Sequence, residues 1–344
     1  MINIAAEDAR RVSEAALRRA GVPPEAAALQ VDLLLEAELR GRPSHGLLRL
    51  PRLTDRMANG VTSPTATGNM TWRSENFLQV NGQDGLGPVV AMAALELAAE
   101  RARQSGVVVV AIAHSNHLGM LAWYAEKLAR EGLVTLGFTT SEALVHAWGG
   151  RTPMLGTNPV AIGVPQPGDP FVLDMATSLV SMGQIYDYAQ RGQELPEGWA
   201  LDAEGEPTTD PEAAKKGSIA PFGEAKGYAL GLALELLVVA LTDSAIGRDV
   251  TGTLDSTRPA TKGDVFILID PDLQPGTSAR IAAYLDLVRA SGDAEGARKV
   301  AVPGDRAMRV RAERLQTGIA LPEPLWAKLC ELAGDPASTT KELT

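Results

Sequence analysis

A single cysteine, Cys330, in 344 residues excludes any internal disulfide. It lies in the apolar helical stretch WAKLCELAG, where packing is its expected role. Aromatic residues make up 4% of the chain, too few for a base-stacking platform. Positive charge is also short. The formal charge is −10 and the isoelectric point near 5.0, whereas nucleic acid or an anionic membrane surface requires a basic face. The N-terminus, MINIAAEDARRVSEAAL, has acids and no apolar run, so it does not read as a signal peptide and the chain reads as cytoplasmic. The most apolar stretch, residues 228–241, is short and contains Glu235, so it is expected to be a buried helix and not a membrane span. No G-x-G-x-x-G follows any strand, and the nearest glycine cluster, GQDGLG at 82–87, has the wrong order for a dinucleotide fingerprint.

What is present is a chain long enough for two or three domains, 45% hydrophobic and with ample core. Residues 5–20 and 24–40 have helical periodicity and are joined by GVPP, and a third helix is expected from about 44 to 58. Residues 61–74 read as turns and a boundary. A strand, a glycine turn and a long helix follow, then the buried valine strand GVVVVAIAH, whose β-branched residues suit a sheet interior. A helix over 118–131 and the strands LVTLGFTT, PVAIGVP and PFVLDMA come next. The segment 191–216 is polar and turn-rich. FGEAKGYALGLALELLVVAL reads as a turn feeding a helix, KGDVFILIDP as a strand, and 276–292 and 304–344 as mostly helical. The pattern is that of an α/β enzyme-sized protein.

Several segments carry groups capable of chemistry. In SHGLLR, Ser44 suits a helix N-cap, which would put His45 in the first turn and Arg49 one turn later. Such a helix mouth suits a small carboxylate, but a capped helix with solvated side chains reads equally from the spacing. HSNHLG holds His114 and His117 at the end of the valine strand; no third ligand with metal-site spacing appears, so no metal is expected. His146 reads as structural. Thr157, Asn158, Asp174, Thr177 and Ser178 supply donors and acceptors that also fit ordinary turns. Lys226 and Gly227 precede an apolar helix, where a phosphate or only solvent would meet them. VPGDR reads as a turn.

Taken in order over nearly the whole chain, SHG-LLRLP, SNHLG, GTNPVAIGVP, VLDMATS, LPEGWALD, AKGYALGLALELL and VPGDR resemble the malate/L-lactate dehydrogenase-like oxidoreductases. This family includes ureidoglycolate dehydrogenase, diketogulonate reductase, sulfolactate dehydrogenase and piperideine-2-carboxylate reductase. The resemblance implies an α/β, non-Rossmann fold. It has a largely antiparallel cofactor-binding sheet domain (71–275) beside a helical domain built from both chain ends (1–70 and 276–344). It implies NAD or NADP as cofactor and a homodimer. His45 matches the histidine that gives a proton to the carbonyl or imine, Ser44 would orient it, and Arg49 would hold the substrate carboxylate. His117 matches the histidine beside the cofactor, a proton acceptor in some members. Thr157 matches a substrate contact. Ser141, Asp174, Met175, Ala176, Thr177, Lys226, Gly304, Asp305 and Arg306 match cofactor contacts.

One departure is visible. Many malate-type members carry Gly-Lys-Ile where this chain has Gly183-Gln184-Ile185. Gln184 is expected to face the reacting carbon, and a neutral amide there would disfavour a second carboxylate. The expected reaction is hydride transfer between NAD(P) and a small 2-hydroxy or 2-oxo acid. The alternatives are reduction of a cyclic imine 2-carboxylate and a catalytically silent nucleotide-binding oligomer. The expected mechanism carries a tension, because a helix N-terminus at His45 disfavours the imidazolium that must donate the proton.

Overall fold

The computed structural model describes residues 1–292 and 300–335. The chain begins with a short strand, β1 (Ile2–Ile4), then α1 (Ala6–Arg19) and α2 (Pro24–Leu39). The buried stripe of α1 is Ala9, Val12, Ser13, Ala16 and Leu17, the spacing of one helix face. Pro24 takes the first position of α2, where its missing N–H costs nothing. α2 is buried along most of its second half, Glu36 and Glu38 included.

The single helix expected over 44–58 is not what forms. Residues 43–49 make two 3-10 turns, Pro43–His45 and Leu47–Arg49, and the α-helix proper, α3, spans Leu50–Ala58. Ser44 therefore caps no α-helix. Gly46, with ψ −150°, is extended and interrupts the ladder between the two turns.

The turn-rich stretch contains an edge strand, β2 (Asn69–Ser74), paired to β3 (Phe77–Gly85). Then come α4 (Gly87–Ser105), the valine strand β4 (Val107–Ser115), α5 (Leu121–Arg130), β5 (Val134–Thr139), β6 (Val145–His146), β7 (Pro153–Leu155), β8 (Val160–Val164) and β9 (Phe171–Met175). The polar segment is more ordered than its composition implied. After α6 (Met182–Arg191) it holds β10 (Ala200–Leu201), β11 (Pro207–Thr208), α7 (Pro211–Ala214) and β12 (Ser218–Ile219). These strands build a small sheet with β6 and β7. α8 (Glu224–Thr242) and β13 (Gly263–Ile269) follow. The last elements are α9 (Thr277–Ala290), α10 (Asp305–Thr317), β14 (Ile319–Leu321) and α11 (Glu323–Ala333). The part of the expected helical tail beyond Asp335 lies outside the described residues.

The large sheet runs β2-β3-β4-β13-β5-β8-β9. Among the described strands of this sheet β3–β4 is parallel and every other neighbouring pair is antiparallel. α4 and α5 pack on it through one apolar cluster that includes Leu95, Val110, Tyr124 and Phe266. A second cluster joins the chain ends: Val12, Leu34 and Leu50 meet Trp326, Leu329 and Cys330, and β1 pairs antiparallel with β14.

α8 corrects a second expectation. It packs by one stripe, Gly227, Gly231, Leu234, Glu235, Val238 and Thr242, while Leu230, Leu236 and Leu237 on the other side are 42%, 49% and 37% exposed. An apolar helix need not be a buried one: periodicity was masked because both faces are apolar.

Candidate active site

The two 3-10 turns place Ser44 and His45 at the surface of α2. Ser44 Oγ lies 3.0 Å from His45 Nδ1, and Arg49 Nε donates to the Ser44 carbonyl at 2.7 Å. Beneath them, Glu38 Oε1 accepts the Leu47 N–H at 2.9 Å. A Cβ at Gly46 would lie 2.2 Å from that carboxylate oxygen, so the glycine of SHG is the space into which Glu38 reaches. Glu38 is 2% exposed, and burial pushes its carboxyl up to about 6, opposed by the Leu47 N–H and by Arg314.

That shift has a testable sign. The folded value lies above the unfolded one, so ionising Glu38 costs stability. The cost is absent below about pH 4.5, grows through about pH 6 and is complete above it. Glu38→Gln keeps an acceptor for Leu47 without the charge. It is expected to exceed the parent's stability by up to about 2 kcal/mol at neutral pH and to match it near pH 4.5. Urea unfolding at the two pH values checks this; an equal difference at both would show that Glu38 does not titrate as argued.

The second histidine arrives from the end of β4. The His117 ring stacks on His45 with centroids 5.5 Å apart and planes at 27°. Its Nδ1 accepts the Gly119 N–H at 3.1 Å, so the neutral ring carries its proton on Nε2. The flanking backbone is held tightly. Asn116 Nδ2 donates to the carbonyls of Asp84 and Gly85, and Tyr124 Oη donates to the Leu118 carbonyl at 2.7 Å. The GQDGLG cluster has its explanation here. A Cβ at Gly87 would sit 2.3 Å from the His117 carbonyl oxygen, and one at Gly82 would sit 2.6 Å from that of His114. These glycines allow two stretches of backbone to touch.

Both histidines are held neutral. Burial, then Arg49 and Arg42, pulls His45 down to about 4. Burial, then Arg49, His45 and Lys262, pulls His117 well below the ordinary histidine value. The expected depression of His45 is present, but its cause is burial and arginine charge, since no α-helix starts at Ser44. Burial also lowers Arg49, while Glu142 favours its charged form.

A second group converges beside the first. Ser141 Oγ accepts the Thr157 N–H at 3.0 Å and lies 3.4 Å from Thr157 Oγ1. Thr177 Oγ1 donates to the carbonyls of Thr157 and Asn158 at 3.0 and 3.2 Å. Buried Glu235 of α8 ties the turn down, accepting from Asn158 Nδ2 at 2.7 Å, Gly156 N at 3.3 Å and Gly247 N at 2.6 Å. Asn158 Oδ1 is buried and has no hydrogen-bond partner among the described residues.

Other expected site residues are placed differently. Asp174 Oδ2 accepts the Ala122 N–H at 3.0 Å at the start of α5, and burial holds its carboxyl above the usual range. Arg42 Nη2 reaches the Asp174 carbonyl at 3.5 Å. Met175 pairs with Val160 at the end of β9, and Ala176 follows it. Lys226 is exposed in the first turn of α8. Gly304, Asp305 and Arg306 begin α10, with Asp305 in a two-oxygen contact with Arg289 at 2.9 and 3.0 Å.

Gln184 does not supply the surface expected of it. It is exposed, and its Oε1 accepts the Ser181 N–H while its own N–H donates to Ser181 Oγ, a reciprocal cap on α6. Its neighbour Gly183 is the residue against the site, where a Cβ would lie 3.3 Å from Ser44 Cβ. The S-x-x-Q spacing signalled that cap. His146 Nδ1 lies 3.0 Å from Ser218 Oγ, a structural link as expected.

Sequence reasoning missed Glu38, Asn116 and the buried pair Lys262–Asp264, whose Nζ lies 2.5 and 2.6 Å from the carboxylate oxygens. Charged residues inside apolar stretches, LLLEAEL and TKGDVFILI, were the available signal.

The chain is similar to known proteins over nearly its whole length. The family model described as malate/L-lactate dehydrogenase matches residues 4–330. L-sulfolactate dehydrogenase of Methanothermobacter thermautotrophicus is 37% identical over 336 residues, 96% of each chain. The Δ1-pyrroline-2-carboxylate/Δ1-piperideine-2-carboxylate reductase of Pseudomonas putida is 34% identical over 93% of this chain and 94% of its own. Among solved structures, sulfolactate dehydrogenase from Methanocaldococcus jannaschii superposes with a TM-score of 0.90 at 33% identity, covering 98% of this chain and 99% of that one. With the motifs in order, the fold shared and the match spanning both chain ends, the chain belongs to the malate/L-lactate dehydrogenase family.

Proposed function

We propose that this protein is a cytoplasmic oxidoreductase that moves hydride between NAD or NADP and the C2 carbon of a small 2-hydroxy or 2-oxo acid. The observation that carries this reading is the stacked, neutral pair His45 and His117 with the Arg49 guanidinium against it.

The donor set fits a nicotinamide dinucleotide. The orphaned acceptor Asn158 Oδ1 and the hydroxyls of Ser141 and Thr157 suit an amide-bearing ring, and Lys226 offers an exposed ammonium for a phosphate. The antiparallel run β4-β13-β5-β8-β9 supports a cofactor site unlike a Rossmann crossover. When bound, the nicotinamide supplies or takes up the hydride. The chain's own groups do the rest. Arg49 holds the substrate carboxylate and fixes which face of C2 is presented. His45, with Ser44 at Nδ1, exchanges the proton of the C2 oxygen. His117 donates a hydrogen bond from Nε2, because Nδ1 is already taken by Gly119. A bound carboxylate raises the His45 value from about 4 and so restores its ability to donate in the reducing direction.

In this reading 1–70 brings the proton-transfer turn, 71–275 holds the cofactor, and within 276–344 the helices α10 and α11 pack back on the N-terminal helices. A homodimer would cover the exposed leucines of α8, beside the proposed cofactor contact at Lys226.

Mixing the protein with NADH or NADPH and pyruvate, oxaloacetate, sulfopyruvate or a cyclic imine 2-carboxylate tests the reading by loss of reduced-nicotinamide absorbance. Turnover of the imine alone would move the assignment to imine reduction; no turnover of any would leave a silent nucleotide binder. For an active 2-oxo acid, Arg49→Lys is expected to raise KM about 10–100-fold with less effect on kcat, because a point charge replaces a fork. The matching 2-oxo amide should be insensitive to the change. Equal losses on acid and amide would make Arg49 a structural residue.

A further inference from the structure

Arg56 lies on α3, two helical turns beyond Arg49, and its residue is fully buried. A buried guanidinium ordinarily has a carboxylate against it. Here every acceptor is a neutral oxygen. Nε donates to Asn116 Oδ1 at 3.0 Å and Thr62 Oγ1 at 3.2 Å; Nη1 donates to the carbonyls of Asp255 and Arg258; Nη2 reaches the Val61 carbonyl at 3.4 Å. Burial lowers its pKa, and the carboxylates of Asp255 and Asp84 favour its charged form only through space, with no direct ion pair among the described residues, so the guanidinium's bonds serve chiefly to hold other groups in place.

What it holds is the residue before His117. Asn116 Oδ1 takes Arg56 Nε and the Thr62 hydroxyl, at 3.0 and 2.9 Å. Its Nδ2 donates to Asp84 O and Gly85 O, and its backbone N–H to Gly85 O. Asn116 is thus fixed on every side. The segment bearing His45 and Arg49 runs directly into α3, whereas His117 comes from the end of β4. The two rings meet only as a stack at 5.5 Å, and stacking restrains position weakly.

We propose that Arg56 is a positioning residue for the reaction, acting through Asn116 to hold the His117 imidazole in register with His45. The clamp joins, through one side chain, the two segments of the proton-transfer site that come from different elements of the chain. It rests on the proposed roles of the two histidines, but its test reads the geometry of His117 and needs no turnover, so the two can fail separately.

The chain has four histidines, which makes 15N-histidine NMR of the full-length protein practicable. The charged or titratable groups facing His117 are His45 and Arg49 from the turns before α3 and Lys262 from the segment before β13. In the parent, His117 should stay neutral and Nε2-protonated through the pH range in which an ordinary histidine takes up its proton, because burial and the facing Arg49 oppose its charging. In Arg56→Lys, which keeps the charge but cannot span these acceptors, the His117 ring should lose its single tautomer and titrate at least about one pH unit higher. His146, bonded to Ser218, should be unchanged and reports that the fold is intact. Asn116→Ser should reproduce the His117 change, and the double variant should add nothing further, as coupling through Asn116 requires. If Arg56→Lys does not fold, Thr62→Val removes only the bridging hydroxyl and should give the same change in part. Parent-like His117 signals in a folded Arg56→Lys or Thr62→Val protein, or additive shifts in the double variant, would overturn the proposal.

Discussion

His45→Asn is expected to lower kcat by about 10²–10⁴ while leaving cofactor affinity unchanged. Asparagine keeps a hydrogen-bonding side chain of similar reach at the 3-10 turn, so the turn, the Arg49 contact to the Ser44 carbonyl and the Glu38 anchor survive. What it removes is a group that can gain and lose a proton. Reduction of a ketone places negative charge on its oxygen, and without a proton donor in contact that charge must be neutralised from solvent. The loss should also remove a pH signature. In the oxidising direction neutral His45 is the base, and its value in the free protein is lowered to about 4, so the acid limb of kcat/KM should lie near that pH instead of near the ordinary histidine value. Measuring kcat, the NADH dissociation constant by fluorescence and the pH profile on both proteins settles the assignment. Turnover within a factor of a few of the parent would remove His45 from proton transfer and leave His117 as the remaining candidate.

Gly87→Ala should give the second large effect, from a residue that touches no substrate. Its Cβ would lie 2.3 Å from the His117 carbonyl oxygen, 2.6 Å from the carbonyl carbon and 2.7 Å from the Asn116 carbonyl oxygen. All three atoms are backbone, so no side chain can rotate away. Ordinary contact requires roughly 1 Å of displacement, and a reacting group misplaced by about that distance costs on the order of 10²-fold in rate. The packing strain should cost about 1–3 kcal/mol of stability. Alanine is otherwise the better helix residue, and Gly87 sits at the first position of α4, so propensity predicts the opposite sign for stability. Thermal unfolding together with kcat distinguishes the two. A variant as stable and as active as the parent would show that the α4 entry and the His117 backbone are not in contact.

Local patterns carried a large part of this protein. The paired helices α1 and α2, the valine strand and the strands ending in GVP and DMA follow from side-chain periods that repeat within each segment. The ordered set of short motifs carried the family, because each preserves a local shape whose order along the chain is itself information. Ser44, His45, Arg49 and His117 were legible as candidates for that reason, and the structure brings them together. The rest depended on segments far apart in sequence. Ser44 begins no α-helix: Gly46 is extended between two 3-10 turns, and Glu38, from α2, occupies the space at Gly46 and accepts the Leu47 N–H. Gln184 was diverted to a cap by Ser181, while Gly183 took the place beside Ser44. The exposed side of α8 could not be read because a helix apolar on both faces has no period that says which one is covered. Both histidines owe their lowered values first to burial; the arginines that also lower His45, Arg49 and Arg42, are its near neighbours in sequence, whereas Arg49, His45 and Lys262 reach His117 only through the fold. Desolvation and charge act through space, and only the tertiary structure determines which groups are near.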